Sequence, residues 1–266
     1  MKIIDAHAHI FPPKLVVTAT KATQDFYELP SMRHEGSAEA LLASGKNAGV
    51  TNYMVFSTAT TSAQVPNIND FIIAECAAHK EFIGAGTMHR DFADFENELD
   101  RLRASGILGI KLHPDFQRFN FDDAALLPVF AALQDRGMFV ITHSGDHRYD
   151  YSHPTRIARV AKMFPEMRII AAHLGGWMKW DIARRELVLP NVWVDCASTF
   201  GFTGPETFFA ALDAFGGKRI IFGCDFPMWD HEEELDHLRA LGLPERQLED
   251  ILYNNFMEFY GAAGSL

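Results

Sequence analysis

The first residues in the chain whose spacing could support chemistry are two histidines, His7 and His9, at the end of the apolar run 3–10. Side chains two residues apart on a strand project to the same face. Two neutral imidazoles placed in this way can chelate one divalent cation. A simpler interpretation of an isolated pair is that one histidine is hydrogen-bonded in the core and the other is solvated. The interpretation as a metal site therefore depends on further ligands elsewhere in the chain.

Four more polar residues follow later apolar runs, namely His113, His143, His173 and Asp225. In a closed barrel of parallel strands, the carboxyl ends of the strands form one ring, so these side chains would converge. An open sheet would leave them along a line. Imidazole nitrogens with one carboxylate oxygen suit Zn²⁺, and also Mn²⁺, Fe²⁺ or Co²⁺. Such an ion lowers the pKa of a bound water from about 15.7 towards 7. The sequence predicts one divalent metal ion, with Zn²⁺ as the first candidate.

Short apolar runs alternate with amphipathic stretches along the chain, as in folds with parallel strands covered on both faces. The predicted strands are 2–6, 52–57, 82–87, 107–112, 138–142, 168–172, 191–195 and 219–223. The predicted helices are 38–48, 68–80, 92–105, 123–136, 153–164, 178–188, 205–215, 231–241 and 245–260. Eight strand–helix units in 266 residues predict the α/β class and a (β/α)8 TIM barrel, in preference to a doubly wound open sheet. We expect a single domain spanning residues 1–266.

Two predicted connections are longer than a barrel needs, residues 11–36 after the first strand and 144–152 after the fifth. Long loops in compact domains are often functional. Both would lie over the carboxyl end of the barrel, where the active sites of this architecture are found.

The net charge is −11 and the chain has no basic run, which argues against nucleic acid as a partner. Three cysteines without a C-x-x-C pair favour a reducing compartment. The amino terminus lacks the apolar region of a signal peptide, and no apolar run reaches the roughly 18 residues that span a membrane. We therefore expect a cytoplasmic protein that acts on a small molecule. A homodimer is expected only because it is the commonest symmetric oligomer.

Five segments lie at or beside the carboxyl ends of predicted strands: 4–9 (IDAHAH), 109–114 (GIKLHP), 141–145 (ITHSG), 172–176 (AHLGG) and 222–227 (FGCDFP). Taken in order, they resemble motifs of the amidohydrolase superfamily. The branch that they resemble is the amidohydrolase-related one, which includes aminocarboxymuconate semialdehyde decarboxylase. Residues 251–261 are also similar to the closing helix of that branch, so the resemblance covers essentially the whole chain.

The resemblance implies a mononuclear metal site. His7, His9, His143 and Asp225 would be its ligands. His173 would orient or activate the metal-bound water, and Asp225 could also accept the proton of that water. Binuclear members carry a carboxylated lysine at the end of the fourth strand, so Lys111 could be a bridging ligand. The alternative for Lys111 is a buried ion-pair partner beneath the metal.

Substrate contacts are predicted at residues that follow other strands. His113 could touch substrate or donate a structural hydrogen bond. His89 lies after the third strand, where a solvated loop position is the alternative. Arg148 could clamp a substrate carboxylate, because guanidinium groups bind carboxylates in a bidentate manner. Trp177 could line an apolar pocket or pack between loops.

The expected function is that of a metal-dependent hydrolase acting on an amide, ester or lactone of a small substrate that can carry a carboxylate. The alternative is a metal-dependent non-oxidative decarboxylase of an unsaturated or aromatic acid. Both reactions need the same ligands. The compact chain favours the hydrolase, because lyases of this branch tend to be longer. A non-catalytic scaffold is disfavoured, because buried polar groups at a barrel mouth are costly unless satisfied.

Overall fold

The computed structural model describes residues 2–261 of the chain. Within that range, eight parallel strands form a (β/α)8 barrel, which confirms the predicted fold class. The third strand is interrupted at Ala85 and has two segments. The strands are β1 (Ile4–His9), β2 (Asn52–Phe56), β3 (Phe82–Gly84 and Gly86–Thr87), β4 (Gly109–Leu112), β5 (Phe139–Thr142), β6 (Ile169–Ala171), β7 (Val192–Asp195) and β8 (Ile220–Ile221).

The barrel closes between its first and last strands. Ala8 of β1 forms a parallel bridge with Phe226, just after β8. The amide of Ala6 donates to the Phe222 carbonyl over 3.0 Å, and the amide of His9 donates to the Phe226 carbonyl over 2.7 Å. At the break in β3, the Ala85 amide donates to Val55 of β2 over 3.0 Å. These hydrogen bonds join the strands into one ring, so their carboxyl ends face a common mouth.

Helices cover the outside of the barrel and part of its mouth. Among residues 2–261, no helix is both long enough and apolar enough to span a membrane. The helices are α1 (Val16–Phe26), α2 (Ala38–Ala48), α3 (Val65–Ala78), α4 (Phe95–Ala104), α5 (Pro114–Gln117), α6 (Leu127–Asp135), α7 (Pro154–Met163), α8 (Trp180–Glu186), α9 (Pro205–Phe215), α10 (His231–Ala240), α11 (Glu245–Glu249) and α12 (Asn255–Gly261).

The barrel interior is a packed core of its own. Inward side chains such as Ile4, Met54 and Ile141 are buried there, and α12 covers the amino-terminal end of the barrel. The ring of Phe259 on α12 lies 5.0 Å from Phe139. Because apolar side chains fill the amino-terminal half of the barrel, the polar side chains of the carboxyl-terminal half face the mouth. Active sites of barrels lie at this end.

A bulge in β1 changes which side chains share a face. Asp5 pairs with Tyr53 and Ala8 pairs with Val55, so β1 contains one extra residue between the two pairs. Strict alternation of side chains along β1 predicts that Asp5 faces the same side as His7 and His9. That prediction is wrong. The Asp5 carboxylate instead faces the outer helices and accepts a hydrogen bond from His231 over 3.0 Å. Bulges commonly re-aim side chains beside active sites, and this one leaves both His7 and His9 facing inward.

The stretch 11–36 is not the continuous loop that the sequence predicts, because it contains α1. Its β-branched Val and Thr residues have low intrinsic helix propensity, so the local sequence gave a weak helical signal. Two predicted helices are also divided. The helix predicted over 123–136 starts as a 3₁₀ turn, with Pro128 near the start of α6. The one predicted over 245–260 is interrupted by a π-turn at Asp250–Asn254.

Candidate metal centre

Three side chains converge at the mouth of the barrel, where the ends of β1 and β8 meet. Asp225 Oδ1 lies 3.3 Å from His7 Nε2 and 3.5 Å from His9 Nε2. These contacts are not satisfied hydrogen bonds, since Asp225 Oδ1 is a buried atom without a hydrogen-bond partner among the described residues. Three donor atoms that share a tetrahedral Zn²⁺ at about 2.0–2.1 Å would lie roughly 3.4 Å apart. The two distances from Asp225 Oδ1 match that spacing. His7, His173 and Asp225 also form a group that could hold a metal ion, with ligand atoms within 4.8 Å of one another.

Lys111 lies directly beneath this group. Its Nζ is 3.0 Å from His7 Nε2 and 4.4 Å from the centre of the Phe56 ring. Burial lowers the pKa of Lys111 to about 8, although the charges of Asp195 and Asp225 oppose that shift. The lone pair of His7 Nε2 that receives the Lys111 hydrogen bond is the one that a metal ion would use. Metal binding would therefore have to displace this hydrogen bond.

Asp195, the last residue of β7, positions two of the histidines. Its Oδ2 accepts from His7 Nδ1 over 2.9 Å, and its Oδ1 accepts from the His173 amide over 2.9 Å. A proton on His7 Nδ1 leaves Nε2 with the lone pair that faces Asp225. Carboxylates commonly orient metal-binding histidines in this way.

The backbone is strained at two of the predicted catalytic residues. His173 has φ = 61° and Asp225 has φ = 65°, in the left-handed region that non-glycine residues rarely adopt. The Leu174 amide bonds to the Asp195 carbonyl over 2.6 Å, and the Asp225 amide bonds to the His7 carbonyl over 2.8 Å. These bonds hold the strained turns in place, and strain of this kind concentrates at functional sites.

His143 lies beside this group but is oriented differently from the other ligand candidates. His173 Nδ1 lies 2.9 Å from the Ala197 carbonyl and can only donate to it, so His173 Nε2 carries the lone pair. His143 Nδ1 lies 3.0 Å from that lone pair and therefore donates to it. The remaining nitrogen, His143 Nε2, is buried without a hydrogen-bond partner among the described residues and lies 3.8 Å from Asp115. In this arrangement the lone pair of His143 faces Asp115 rather than Asp225, and metal binding by His143 remains a prediction.

His113 joins the same cluster through the lid formed by α1. The His113 ring stacks on His143 with centroids 4.2 Å apart, and its Nε2 is 2.7 Å from the Tyr27 hydroxyl. The neighbouring Phe26 ring packs edge-on against Phe116 at 4.3 Å. Residues at the carboxyl end of α1 thus cover the site from above.

Burial dominates the electrostatics of the site. It lowers the pKa of His7 and of His9 well below the usual range, and the Lys111 charge lowers both further. It also lowers the pKa of His173 to about 4, so this imidazole is uncharged at neutral pH. Burial raises the pKa of Asp225 to about 7, which the Ser198 hydroxyl bonded to it partly opposes. Neutral imidazoles are the protonation state that a metal ion requires.

Aromatic side chains line the cavity on one side of the cluster. Trp177, Phe202 and Trp229 line it together with His143 and His173. The Trp177 ring lies 5.5 Å from Tyr27 and 5.2 Å from Phe202. Trp177 is held in place partly by a close approach at Gly145, where a Cβ atom would lie 2.7 Å from the Trp177 backbone. Trp177 therefore lines this cavity and also packs between loops, and its contact with substrate remains a prediction.

Two predicted substrate contacts lie away from the cavity. Arg148 forms a bidentate pair with Asp146, at 3.0 and 2.7 Å, and also donates to the Phe26 carbonyl. Its guanidinium is therefore already paired. His89 Nδ1 accepts from the Asp91 amide over 3.2 Å within its own loop, and its ring packs on Phe119. Neither residue is among those that line the cavities beside His7 and His173.

Sequence reasoning missed two residues of the site, Asp195 and Tyr27. Asp195 ends a predicted strand in the same manner as His143 and His173, so the strand-end criterion applied to β7 would have found it. Tyr27 could not have been found in this way, because it follows a helix that the sequence did not reveal.

The fold is shared with solved structures over nearly the full chain. An uncharacterized TIM-barrel protein from Bordetella bronchiseptica is 20% identical, with a TM-score of 0.80 and 100% of both chains covered. A dihydroxybenzoic acid decarboxylase from Polaromonas sp. JS666, solved with manganese and 2-nitroresorcinol, is 14% identical. Its TM-score is 0.76, with 99% of this chain and 98% of that chain covered. At these identities the likeness shows the fold.

A curated relative and a family model add to the structural likeness. The 6-methylsalicylic acid decarboxylase of Penicillium expansum is 29% identical over an alignment that covers 46% of this chain. The chain spans about half the length of that relative, 49%. The model of the amidohydrolase family matches residues 4–262, which include every residue of the cluster described above. The chain therefore belongs to the amidohydrolase family, as its motifs predicted.

Proposed function

We propose that this protein is a metal-dependent, non-oxidative decarboxylase of an aromatic acid. The observation that carries the proposal is the convergence of His7 Nε2 and His9 Nε2 on the buried, unpartnered Asp225 Oδ1. The same ligands would serve a hydrolase, which the compact chain led us to expect. The choice between the two reactions rests on the similar proteins. The Penicillium relative and the Polaromonas structure are both decarboxylases of hydroxylated aromatic acids. They support the alternative reaction better than the expected one.

His7, His9 and Asp225 would hold one divalent ion, with His143 as a predicted further ligand. Nitrogen and oxygen donors of this kind suit both Zn²⁺ and Mn²⁺. We propose testing Mn²⁺ first, because the similar Polaromonas decarboxylase was solved with manganese. When bound, the ion would supply a positive charge that orients and polarises the oxygen atoms of the substrate.

His173 is the group that we assign to proton transfer. Decarboxylation breaks the bond between the ring and the carboxylate, leaves the electron pair on the ring carbon and releases CO₂. A proton must then reach that carbon. His173 lines the cavity, and its Nε2 lone pair accepts from His143 Nδ1 because its own Nδ1 donates to the Ala197 carbonyl. Burial lowers the pKa of His173 to about 4, so this ring is uncharged at neutral pH and must first take up a proton at Nε2. We assign that proton to the phenol of the bound substrate: His173 would pass it to the ring carbon, and the phenolate would regain a proton from solvent.

Aromatic side chains close one side of the proposed metal site, where the free space is about 10 Å³. Trp177, Phe202 and Trp229 supply apolar faces on one side of the proposed metal site. These walls also exclude water, which favours protonation of the ring carbon by a fixed group over protonation by solvent.

The test is CO₂ release by the metal-loaded protein. We would incubate it with 2-hydroxybenzoate labelled at the carboxyl carbon, and with ring-hydroxylated analogues, and measure labelled CO₂ and the phenol formed. We expect equal amounts of the two products, loss of both with EDTA, and no activity for His7→Ala. Glu98→Gln, which alters a buried carboxylate on α4, is the matched control. Turnover of esters or lactones without CO₂ from any of the acids would refute the proposal in favour of a hydrolase.

A further inference from the structure

A groove beneath α1 lies next to the proposed metal site. Its volume is about 450 Å³. Ala19, Ala22 and Phe26 of α1 form one wall, Ile68 of α3 contributes to the opposite wall, and His9 lies among the lining residues. The α1 residues recur at three- and four-residue spacing, so they form one face of that helix.

The cavity within the histidine cluster is far smaller than the groove. The space bounded by His7, His113 and Asp225 is about 10 Å³, which is room for about one water molecule. Sites for organic ligands typically enclose about 300–1,000 Å³. The cluster therefore has room for an ion, while the organic part of the substrate must lie elsewhere. His9, Thr23 and Phe116 line both spaces, so the groove adjoins the cluster.

We propose that the groove beneath α1 binds the apolar part of the substrate, an aromatic acid that bears an alkyl substituent, with its carboxylate at the His9 end. This assignment rests on the proposed function, and it names the substrate class of the same site.

The chemistry of the groove fits this ligand. Within residues 2–261, the side chains that line it include apolar, hydroxyl and amide groups and one histidine, but no Asp, Glu, Lys or Arg. An alkyl chain gains from such walls, because burying one methylene is worth about 0.8 kcal/mol. Thr58 also lines the groove, and its buried hydroxyl has no hydrogen-bond partner among the described residues.

The test uses a series of 2-hydroxybenzoates that carry no substituent, a methyl, a propyl or a heptyl group next to the carboxylate. We would measure Kd by titration calorimetry and kcat/KM by CO₂ release, both on Mn²⁺-loaded protein. Kd should fall about three- to fourfold for each methylene buried in the groove. Ala22→Phe fills the groove and should weaken binding of the heptyl compound at least tenfold, while the unsubstituted acid changes less than twofold.

The matched control is Lys21→Phe, which places the same side chain on the exposed face of α1, where Lys21 is 62% exposed. Ala19→Leu is a second groove variant, and thermal melts establish that each variant is folded. If CO₂ is released but Kd does not depend on chain length, or if Ala22→Phe and Lys21→Phe weaken binding of the heptyl compound equally, the groove proposal would be overturned. The decarboxylase proposal would then still stand. Binding that depends on chain length and on Ala22, without CO₂ from any acid, would uphold the groove and overturn the decarboxylase.

Discussion

Replacing Asp195 with Asn tests whether the carboxylate behind His7 prepares the metal site. Asp195 Oδ1 accepts from the amides of His173 and Ala197, at 2.9 and 3.2 Å, and an asparagine oxygen can keep both bonds. The new NH₂ group would then face His7 Nδ1, where the carboxylate now accepts over 2.9 Å. Since two donors cannot pair, His7 would move its proton to Nε2. That nitrogen would lose the lone pair that faces Asp225.

The expected loss can be estimated from this geometry. The bond from His7 to Asp195 joins two buried side chains and involves a charged acceptor. Hydrogen bonds to charged groups contribute about 1.5–3 kcal/mol. Loss of a carboxylate that orients a metal-binding histidine typically weakens metal binding about 10- to 100-fold, which corresponds to about 1.4–2.8 kcal/mol. The two estimates agree, so we expect the Kd for Mn²⁺ to rise by one to two orders of magnitude in Asp195→Asn.

The assay is calorimetric titration of metal-free protein with Mn²⁺, together with thermal melts without metal. Glu98→Gln is the control, because Glu98 is a buried carboxylate whose partners are Asn69 and Arg101, away from the site. It should bind Mn²⁺ as the unmodified protein does. An unchanged Kd for Mn²⁺ in folded Asp195→Asn would refute this reasoning. It would show that metal binding does not need Asp195 to hold the His7 proton on Nδ1.

Three further predictions follow from the buried titratable groups. His173→Asn should keep most of the metal, measured by elemental analysis, and lower kcat about 10²- to 10⁴-fold, because it removes only proton transfer; loss of the metal would instead make His173 a ligand. Burial raises the pKa of Asp225 to about 7, so protons should compete with the ion below that pH. The Kd for Mn²⁺ should rise about tenfold per pH unit from pH 7 downward, and a flat profile would contradict this role. Burial also raises the pKa of Glu234 from 4.5 to about 8. The folded protein then holds a proton that the unfolded chain releases, so this stabilisation is lost as the pH rises towards 8. Between about pH 5 and 8, this group should make the free energy of unfolding of the unmodified protein fall by roughly 1 kcal/mol per pH unit. Glu234→Gln should remove that part of the fall, as measured by denaturant titrations at several pH values. Parallel profiles for the two proteins would contradict the assignment.

The sequence was enough to predict the barrel and the ring of polar residues at its mouth. Parallel strands give near-continuous apolar runs, and side chains at their carboxyl ends share one end of the barrel, whatever their separation in sequence. This explains why His7 and Asp225, 218 residues apart, could be assigned to one site. It also explains how the strand-end criterion would have included Asp195 had it been applied to β7.

The rest of the site depends on features that a local pattern does not encode. The bulge in β1 reverses the face of Asp5, and only the pairing of β1 with β2 reveals it. α1 is stabilised by packing against the barrel mouth rather than by helix propensity, so the sequence did not predict this helix. The position of Tyr27, which follows α1 and lies above His113, could therefore not be predicted either. Ring orientation is also set by tertiary partners. His143 faces Asp115, and Arg148 is paired with Asp146, because of residues that converge only in the folded chain.

The most direct test of the central claim is a crystal structure of the Mn²⁺-loaded protein, with the metal located by its anomalous scattering. We expect one peak within bonding distance of His7 Nε2, His9 Nε2 and Asp225 Oδ1, with Lys111 unmodified and displaced from His7. Two peaks bridged by a carboxylated Lys111, or a single peak between His143 and Asp115, would contradict it.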